Sequence, residues 1–597
     1  MIIDLIDNPS DLKNLTIEQL QCLSEEIRSM IIDVISVNGG HLASNLGSVE
    51  LITSIHYYFN SPIDKIIFDT SHQTYAHKIL TGRKSTFYTI RKFKGLSGFS
   101  SPQESVHDHF YAGHAGTALS LALGAAKGRD LNKSTEYIIP FIGDASLSCG
   151  LTLEALNNIN KDTKKFIVVL NDNAMFISDS VGNIDGNILR KSKDDASLFF
   201  NKFNLNYIGP IDGHNVMAIV EGLKIAANSD KPTLVHVLTN KGMGVMQALK
   251  NPTTYHSIKK FDVKSDKFHQ SKSDKDTFPK IFGKWITNAG EKNDSIVVIT
   301  PAMLQSSSLN GFMDKFKDRC IDVGIAEGHA VTFAGGLASK SNKKIFVSIY
   351  STFLQRAFDN LFQDVLLQNS HVVFAIDRSG LSTGDGVTHH GIFDISFLNA
   401  MPNMVIAQPR NGDVLKDLLF SALSWNKSSA IRYPNIETDS TNRQPINRTI
   451  GQGEIISNGK DIVIIALGHM CELAINVKEL LLAHNIQATI VDPIFIKPID
   501  KSLLFRLMLD HKYFVTIEEH SITCGLGSII NSFIAQSGFS NIQIQNFGIP
   551  DQFIEHGSYA EVMNSIGLTA EVIANQIIQR FDFTHKLYVS HIPHQNF

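Results

Sequence analysis

Residues 136–178 read EYIIPFIGDASLSCGLTLEALNNINKDTKKFIVVLNDNAMFIS, and their order of textures decides the fold class. Two apolar runs, EYIIPFIGD at 136–144 and KFIVVLND at 165–172, flank a helix-period segment, LTLEALNNIN at 151–160. A strand–helix–strand crossover is right-handed in nearly all folds, so the two strands run parallel and their carboxyl ends open at one sheet edge. Open α/β sheets bind ligands at that edge. Asp144 closes the first run; Asn171, Asp172 and Asn173 close the second. Asp144 and Asn173 are therefore expected to converge. One carboxylate with one amide oxygen is a hard-oxygen set suited to Mg²⁺, with positions left for diphosphate oxygens. Read in isolation, the same GD and NDN turns serve equally as turn chemistry and helix capping.

The alternation extends in both directions. KIIFDTS at 65–71 and TLVHVLT at 233–239 add strands to the first set, with AGTALSLALGAAKGRDL at 115–131 as a helix. A second set comprises SIVVIT at 295–300, KIFVSIY at 344–350, HVVFAID at 371–377, MVIAQ at 404–408 and SAIRYP at 429–434. A third comprises DIVIIALG at 461–468, IQATIVD at 486–492, YFVTIEE at 513–519 and NIQIQNFG at 541–548. Polar segments at 259–280 and 435–454 separate the sets and read as solvated linkers. This pattern predicts three α/β domains with mainly parallel sheets, 1–277, 278–445 and 446–597.

Of the 597 residues 43% are hydrophobic and 19% charged, which supports several cores and excludes disorder. Lys+Arg 54 against Asp+Glu 58 leaves no basic excess for a nucleic-acid backbone. Cys22, Cys149, Cys320, Cys471 and Cys524 lie far apart with no CxxC pair, the pattern of neither a disulfide framework nor a structural zinc site. The N-terminal MIIDLIDNPSDLKN carries Asp4, Asp7 and Asp11 where an export signal needs a basic start. The longest uncharged stretch, 521–550, contains Asn531, Gln536, Gln543, Gln545 and Asn546 and is no bilayer span. A cytoplasmic protein without nucleic-acid or membrane partners is expected.

An ordered series of motifs sharpens the reading: GGHLASNLGSVEL (39–51), DTSHQTYAHKILTGR (69–83), AGHAGTALSLALGAA (112–126), PFIGDASLS (140–148) and LNDNAMFIS (170–178). GIAEGHAVTFAGGLA (324–338), SIYSTFLQRAFD (348–359), AIDRSGLSTGDGVTHHGIFDISFL (375–398), SAIRYP and FGIPDQFIEHG (547–557) follow. Through them the chain resembles the transketolase-like thiamine-diphosphate enzymes and, within them, the 1-deoxy-D-xylulose-5-phosphate synthase family, over nearly its whole length. The resemblance implies that 1–277 binds diphosphate and Mg²⁺, that 278–445 binds the pyrimidine, and that 446–597 is a transketolase C-terminal-like domain. It further implies a homodimeric transferase that condenses pyruvate with D-glyceraldehyde 3-phosphate, with loss of CO₂, to a precursor of isoprenoids, thiamine and pyridoxal.

The resemblance also assigns residues. Glu327 would hydrogen-bond the aminopyrimidine ring, a task that needs a carboxyl held in a dry place; read in isolation it is a solvated helix-start carboxylate. His41 and His389 would meet the substrate-derived groups, where imidazole donates hydrogen bonds or moves a proton. His72, Gly113, His114, Ala115, Asp144, Ala145, Ser146, Asn173 and Val245 would contact the cofactor, and Asp144, Asn173 and Met175 the metal. Tyr350, Arg356, Arg378, Asp385 and Arg432 would bind substrate, the guanidinium forks suiting its phosphate. Lys241 and His256 fall in the family segment that closes over the cofactor.

Several family positions are altered. Ala145 replaces the last glycine of GDG, Gly328 the usual glutamine after Glu327, Val245 an aromatic and Ala174 an acidic residue. Alanine at 145 fits provided its backbone is not left-handed. Cofactor binding is expected to survive, since Asp144, Asn173 and Glu327 are present. A transketolase, a 2-oxo-acid dehydrogenase component or a fold-retaining non-catalytic paralogue are the alternatives on this fold.

Overall fold

The computed structural model describes residues 1–173, 184, 189, 192–262, the backbone of 267–268, and 274–583. The chain forms two compact units, Met1–Lys272 with Val323–Ala326, and Ser273–Asp322 with Glu327–Phe597. The metal residue Met175, the substitution Ala174 and the tail beyond 583 lie outside the described residues.

The first unit is built on five parallel strands, β1 (Lys65–Phe68), β2 (Ile138–Gly143), β3 (Ile167–Asp172), β4 (Asn206–Asp212) and β5 (Thr233–Leu238), in the order β1-β2-β3-β5-β4. Alternate residues of β2 and β3 enter two different cores, which is why both runs are apolar throughout rather than amphipathic. Ile139, Phe141, Ile167 and Val169 pack with Leu20, Ile27, Ile31 and Ile35 of the helix Ile17–Asn38. Ile138, Ile142, Val168 and Leu170 pack with Ala118, Leu119, Ala122 and Ala126 of the helix Ala118–Leu131. The long helix starts at a reciprocal cap: Gln19 N donates to Thr16 Oγ1 (3.3 Å) and Thr16 N to Gln19 Oε1 (2.8 Å). Part of the expected linker is structured, because β6 (Phe261–Asp262) pairs antiparallel with β7 (Lys267–Phe268) and Phe261 is anchored in the first core.

The second unit contributes, in chain order, β8 (Ile296–Thr300), β9 (Cys320–Asp322), β10 (Lys344–Tyr350), β11 (Val372–Asp377), β12 (Met404–Ala407), β13 (Ser428–Arg432), β14 (Glu454–Ser457), β15 (Ile462–Ala466), β16 (Ala488–Asp492), β17 (Phe495–Lys497), β18 (Tyr513–Ser521) and β19 (Gln543–Ile549). They form two sheets, β17-β12-β13-β11-β10-β8-β9 and β14-β16-β15-β18-β19. Only the edge strands β17 and β14 run antiparallel among these described strands. The two sheets are not separated at a single point in the chain. The strand β17, from the third sequence set, completes the sheet of the second, with Phe495 opposite Ala407 and buried beside Val405 and Ala407 in that core. Burial of Phe495 in that core accompanies the pairing of this short strand with the neighbouring sheet.

Candidate active site

In the first unit the two decisive strand ends meet. Parallel pairing sets Gly143 opposite Asn171, so Asp144 and Asn173 leave the sheet at the same edge. Asn173 N donates to Asp144 Oδ2 (3.3 Å) and Ala145 N to Asp144 Oδ1 (3.0 Å), and Asp144 is 2% exposed. The other two oxygen-bearing residues of the NDN run are committed to the sheet. Thr239 Oγ1 donates to Asn171 Oδ1 (2.6 Å), and His236 Nε2 to Asp172 Oδ2 (2.9 Å). Burial pushes the Lys241 ammonium down to about 8, with the charge of Asp144 pulling it back up. No group of three or more His, Cys, Asp or Glu that would cage a metal occurs among the described residues. A buried carboxylate beside one amide residue fits instead a Mg²⁺ that keeps waters and takes phosphate oxygens.

Asp69, immediately after β1, organises this edge. Its Oδ1 accepts from Gly116 N (2.8 Å) and Ser146 Oγ (2.7 Å), and its Oδ2 from Ala118 N (2.9 Å). One carboxylate thereby ties the loop of Gly113, His114 and Ala115 to the turn of Asp144, Ala145 and Ser146. Gly116 has φ +84°, and a Cβ there would lie 2.7 Å from Cys149 Cβ, so the loop passes only as glycine. Ala145 lies in the short right-handed helix Asp144–Leu147, where alanine meets the conformational condition set by the sequence. Val245 packs on the first core ahead of the helix Met246–Lys250. Asp69 stands inside a quoted motif, yet nothing in its neighbours signals that it serves two distant loops.

Three histidines gather in the same unit. The ring centroids of His41 and His72 are 5.4 Å apart, those of His41 and His256 5.6 Å, and those of His72 and His256 5.2 Å. Phe99 lies 5.5 Å from the His41 ring. The buried Asn45 sets this cluster by donating to His41 O (2.6 Å) and His72 O (2.7 Å) and accepting from Tyr75 N (2.8 Å). His256 shares a hydrogen bond with Ser44 Oγ (3.3 Å). Burial, reinforced by Lys241 and the other two rings, holds His256 well below its ordinary value, so its imidazole is neutral at physiological pH.

In the second unit Glu327 opens the helix Glu327–Lys340 and is 6% exposed. Burial raises its carboxyl above the ordinary value, against the pull of Arg356. Arg356, expected at substrate, has its Nη1 3.8 Å from Glu327 Oε2, an ion-pair distance. Arg378 lies with its guanidinium 4.2 Å over the Tyr350 ring and donates to Asp377 and to Ser306 O (3.0 Å). Burial pushes the Tyr350 phenol up to about 12. Phe353 links Tyr350 (5.5 Å) to His389 (5.7 Å), whose Nδ1 shares a hydrogen bond with Thr388 Oγ1 (2.9 Å). Asp385 precedes the short 3₁₀ turn Gly386–Thr388 that carries His389.

Arg432 departs from expectation. It is 0% exposed, and its guanidinium donates to Asp394 Oδ2 (2.9 Å) and Oδ1 (3.0 Å), to Gly391 O (3.3 Å) and to Gln408 Oε1. A fork so engaged by protein acceptors is not presented to a substrate phosphate. A strand-end arginine looks alike in sequence whether it faces ligand or a buried aspartate 38 positions away.

Parallel-dominated α/β sheets in both units, with family matches to two transketolase domains, place the chain in the transketolase class. The transketolase pyrimidine-binding domain matches residues 275–439, and the transketolase C-terminal domain residues 451–573. The 1-deoxy-D-xylulose-5-phosphate synthase model matches residues 3–197 and 187–239. The 1-deoxy-D-xylulose-5-phosphate synthase of Chlamydia pneumoniae is 48% identical, covering 98% of this chain and 98% of its own; that of Chlamydia felis is 46% identical, covering 98% and 97%. The chain belongs to the 1-deoxy-D-xylulose-5-phosphate synthase family. Among solved structures, transketolase from Campylobacter jejuni is 16% identical, covering 95% of this chain and 100% of its own, with a TM-score of 0.45.

Proposed function

We propose that this chain is a thiamine-diphosphate-dependent transferase that condenses pyruvate with D-glyceraldehyde 3-phosphate to 1-deoxy-D-xylulose 5-phosphate, releasing CO₂. The observation that carries the reading is that this chain, matched over 98% of a family relative's length, holds the buried Asp144, Asn173 beside it and the buried Glu327. Thiamine diphosphate supplies the electron sink for decarboxylation. Asp144 and Asn173 would hold Mg²⁺ and, through it, the diphosphate. His72 and the Gly113–His114–Ala115 loop would bind cofactor, with Ser146 contributing through Asp69 rather than through a free hydroxyl. Glu327, whose proton affinity burial raises, would hydrogen-bond the aminopyrimidine. His41 and His389 orient substrate and move protons, the neutral His256 adding a second hydrogen-bonding imidazole beside His41. Tyr350, Arg378 and Asp385 bind the aldehyde phosphate. Arg356 acts on Glu327.

The division into 1–277, 278–445 and 446–597 is proposed as a division of labour, and a homodimer in the cytoplasm as the working form. No helix among the described residues is long and apolar enough to cross a membrane. The test is CO₂ release from pyruvate with thiamine diphosphate and Mg²⁺. Release that accelerates on adding D-glyceraldehyde 3-phosphate, and that is lost in Asp144→Ala, is expected. No CO₂ under any of these conditions would remove the catalytic reading.

A further inference from the structure

The loop 379–391, which follows Arg378 and carries Asp385 and His389, is closed at its base by reciprocal bonds, Gly380 N to Gly391 O (2.8 Å) and Gly391 N to Gly380 O (2.7 Å). Its next backbone donor, Leu381 N, is bound by a side chain from β18, Glu519 Oε1 (2.5 Å). Glu519 is 2% exposed, and its other oxygen accepts from His469 Nε2 (2.6 Å) and from Tyr559 OH. Gly380 runs so close that a Cβ there would sit 2.4 Å from Glu519 Oε1. Farther along, Ser382 N donates to His390 Nδ1 (2.9 Å), His390 Nε2 bonds Ile554 O (2.9 Å), and Gly557 N donates to Thr383 O (2.9 Å). The loop is therefore held along its first half by residues 519 and 554–557.

The donor directions in this cluster are determined. A guanidinium offers only donors, so the Gln408 oxygen faces Arg432 and its NH₂ faces His469 Nδ1 (3.4 Å). His469 Nδ1 is then an acceptor, which puts the ring proton on Nε2, aimed at Glu519. Arg432 is fixed in turn by the two oxygens of Asp394. A buried polar chain thus runs Asp394–Arg432–Gln408–His469–Glu519 and ends on the backbone of the loop. A buried network in which each polar nitrogen and oxygen has a partner is rigid and favours one arrangement, which is the property a positioning device needs.

We propose that Glu519 and His469 are positioning residues for the substrate loop: through Leu381 N they set the geometry in which Asp385 and His389 meet the aldehyde phosphate. This rests on the reading of that loop as substrate-binding, and it gives the buried Arg432 its role, at the far end of the chain rather than at the phosphate.

The experiment uses the 597-residue chain and the variants His469→Leu, His469→Gln and Tyr559→Phe. Glutamine accepts from Gln408 and donates to Glu519 as histidine does; leucine does neither. Amide hydrogen exchange read by mass spectrometry should quicken at least tenfold in peptides covering 380–386 of His469→Leu and several-fold in Tyr559→Phe. Peptides covering 344–350 should be unchanged, and His469→Gln should match the parent. In the CO₂ assay, His469→Leu should raise KM for D-glyceraldehyde 3-phosphate at least tenfold, with KM for pyruvate within twofold, and His469→Gln should restore both. Unchanged loop exchange in both His469→Leu and Tyr559→Phe overturns the proposal, whatever the parent's turnover. So does faster exchange with an unaltered KM for the aldehyde phosphate, or a His469→Gln variant that behaves like His469→Leu. A parent that releases no CO₂ sinks the catalytic reading separately, and loop exchange alone then decides whether Glu519 and His469 hold the loop.

Discussion

Asp69→Asn is the most informative single change in the first unit. The carboxylate is 1% exposed and accepts from Gly116 N, Ala118 N and Ser146 Oγ. Asparagine in the same rotamer offers one oxygen instead of two. With that oxygen toward Gly116 and Ser146, its NH₂ meets the Ala118 N–H; turned over, it meets the Gly116 N–H. Either way a buried backbone donor loses a charged acceptor and faces another donor. A hydrogen bond to a charged group contributes about 1.5–3 kcal/mol and an unmatched buried donor costs about 1–3 kcal/mol, so the loop 113–118 is destabilised by about 3 kcal/mol. On the proposed reading cofactor binding must restore the loop, so affinity should fall by roughly a hundredfold, at roughly 1.4 kcal/mol per decade. The assay is calorimetric titration of thiamine diphosphate at saturating Mg²⁺. Ser146→Ala removes one donor and strands no backbone N–H, so it should weaken binding by no more than about threefold. If Asp69→Asn binds within twofold of the parent, or Ser146→Ala is the weaker binder of the two, the assignment of Asp69 as the organiser of this edge is wrong.

Glu327→Gln should abolish turnover and stabilise the chain in a pH-dependent way. A carboxyl raised by burial costs nothing below its ordinary value of 4.5 and costs most above its folded value, so the gain in Tm over the parent should be larger at pH 8 than at pH 4.5. His256 should not titrate in the folded protein across pH 5.5–8, so its ring-proton chemical shifts should stay flat while those of an exposed histidine move. Arg432→Met leaves Asp394 buried without its partner and should cost about 3–5 kcal/mol, seen as a lower urea midpoint. Adding Asp394→Asn to that variant should recover part of the loss, and a midpoint unaffected by Arg432→Met would contradict the buried pairing.

The meeting of Asp144 with Asn173 was legible because it depends on two local facts, apolar run length and the handedness of a crossover, and both are properties of neighbouring residues. The condition on Ala145 was legible for the same reason, since a right-handed backbone is a matter of one residue's own torsions. The histidine cluster was legible only as a set of motif positions. His41, His72 and His256 come from three distant segments, and Asn45, the side chain that sets two of them, carries no mark in sequence beyond being an amide.

Apolar patterning alone therefore determined the α/β class, the run of parallel strands and the sheet edge where Asp144 and Asn173 meet, because burial of alternating or continuous apolar faces constrains each segment independently of the rest. Tertiary structure decided the pairing of the polar groups: Asp69 with two loops, Arg356 with Glu327, Arg432 with Asp394, and β17 with the neighbouring sheet. A buried charge or hydrogen-bonding group takes whatever complementary partner the packed chain brings within about 3 Å, and that partner is chosen by the fold as a whole, not by the residues beside it in the chain.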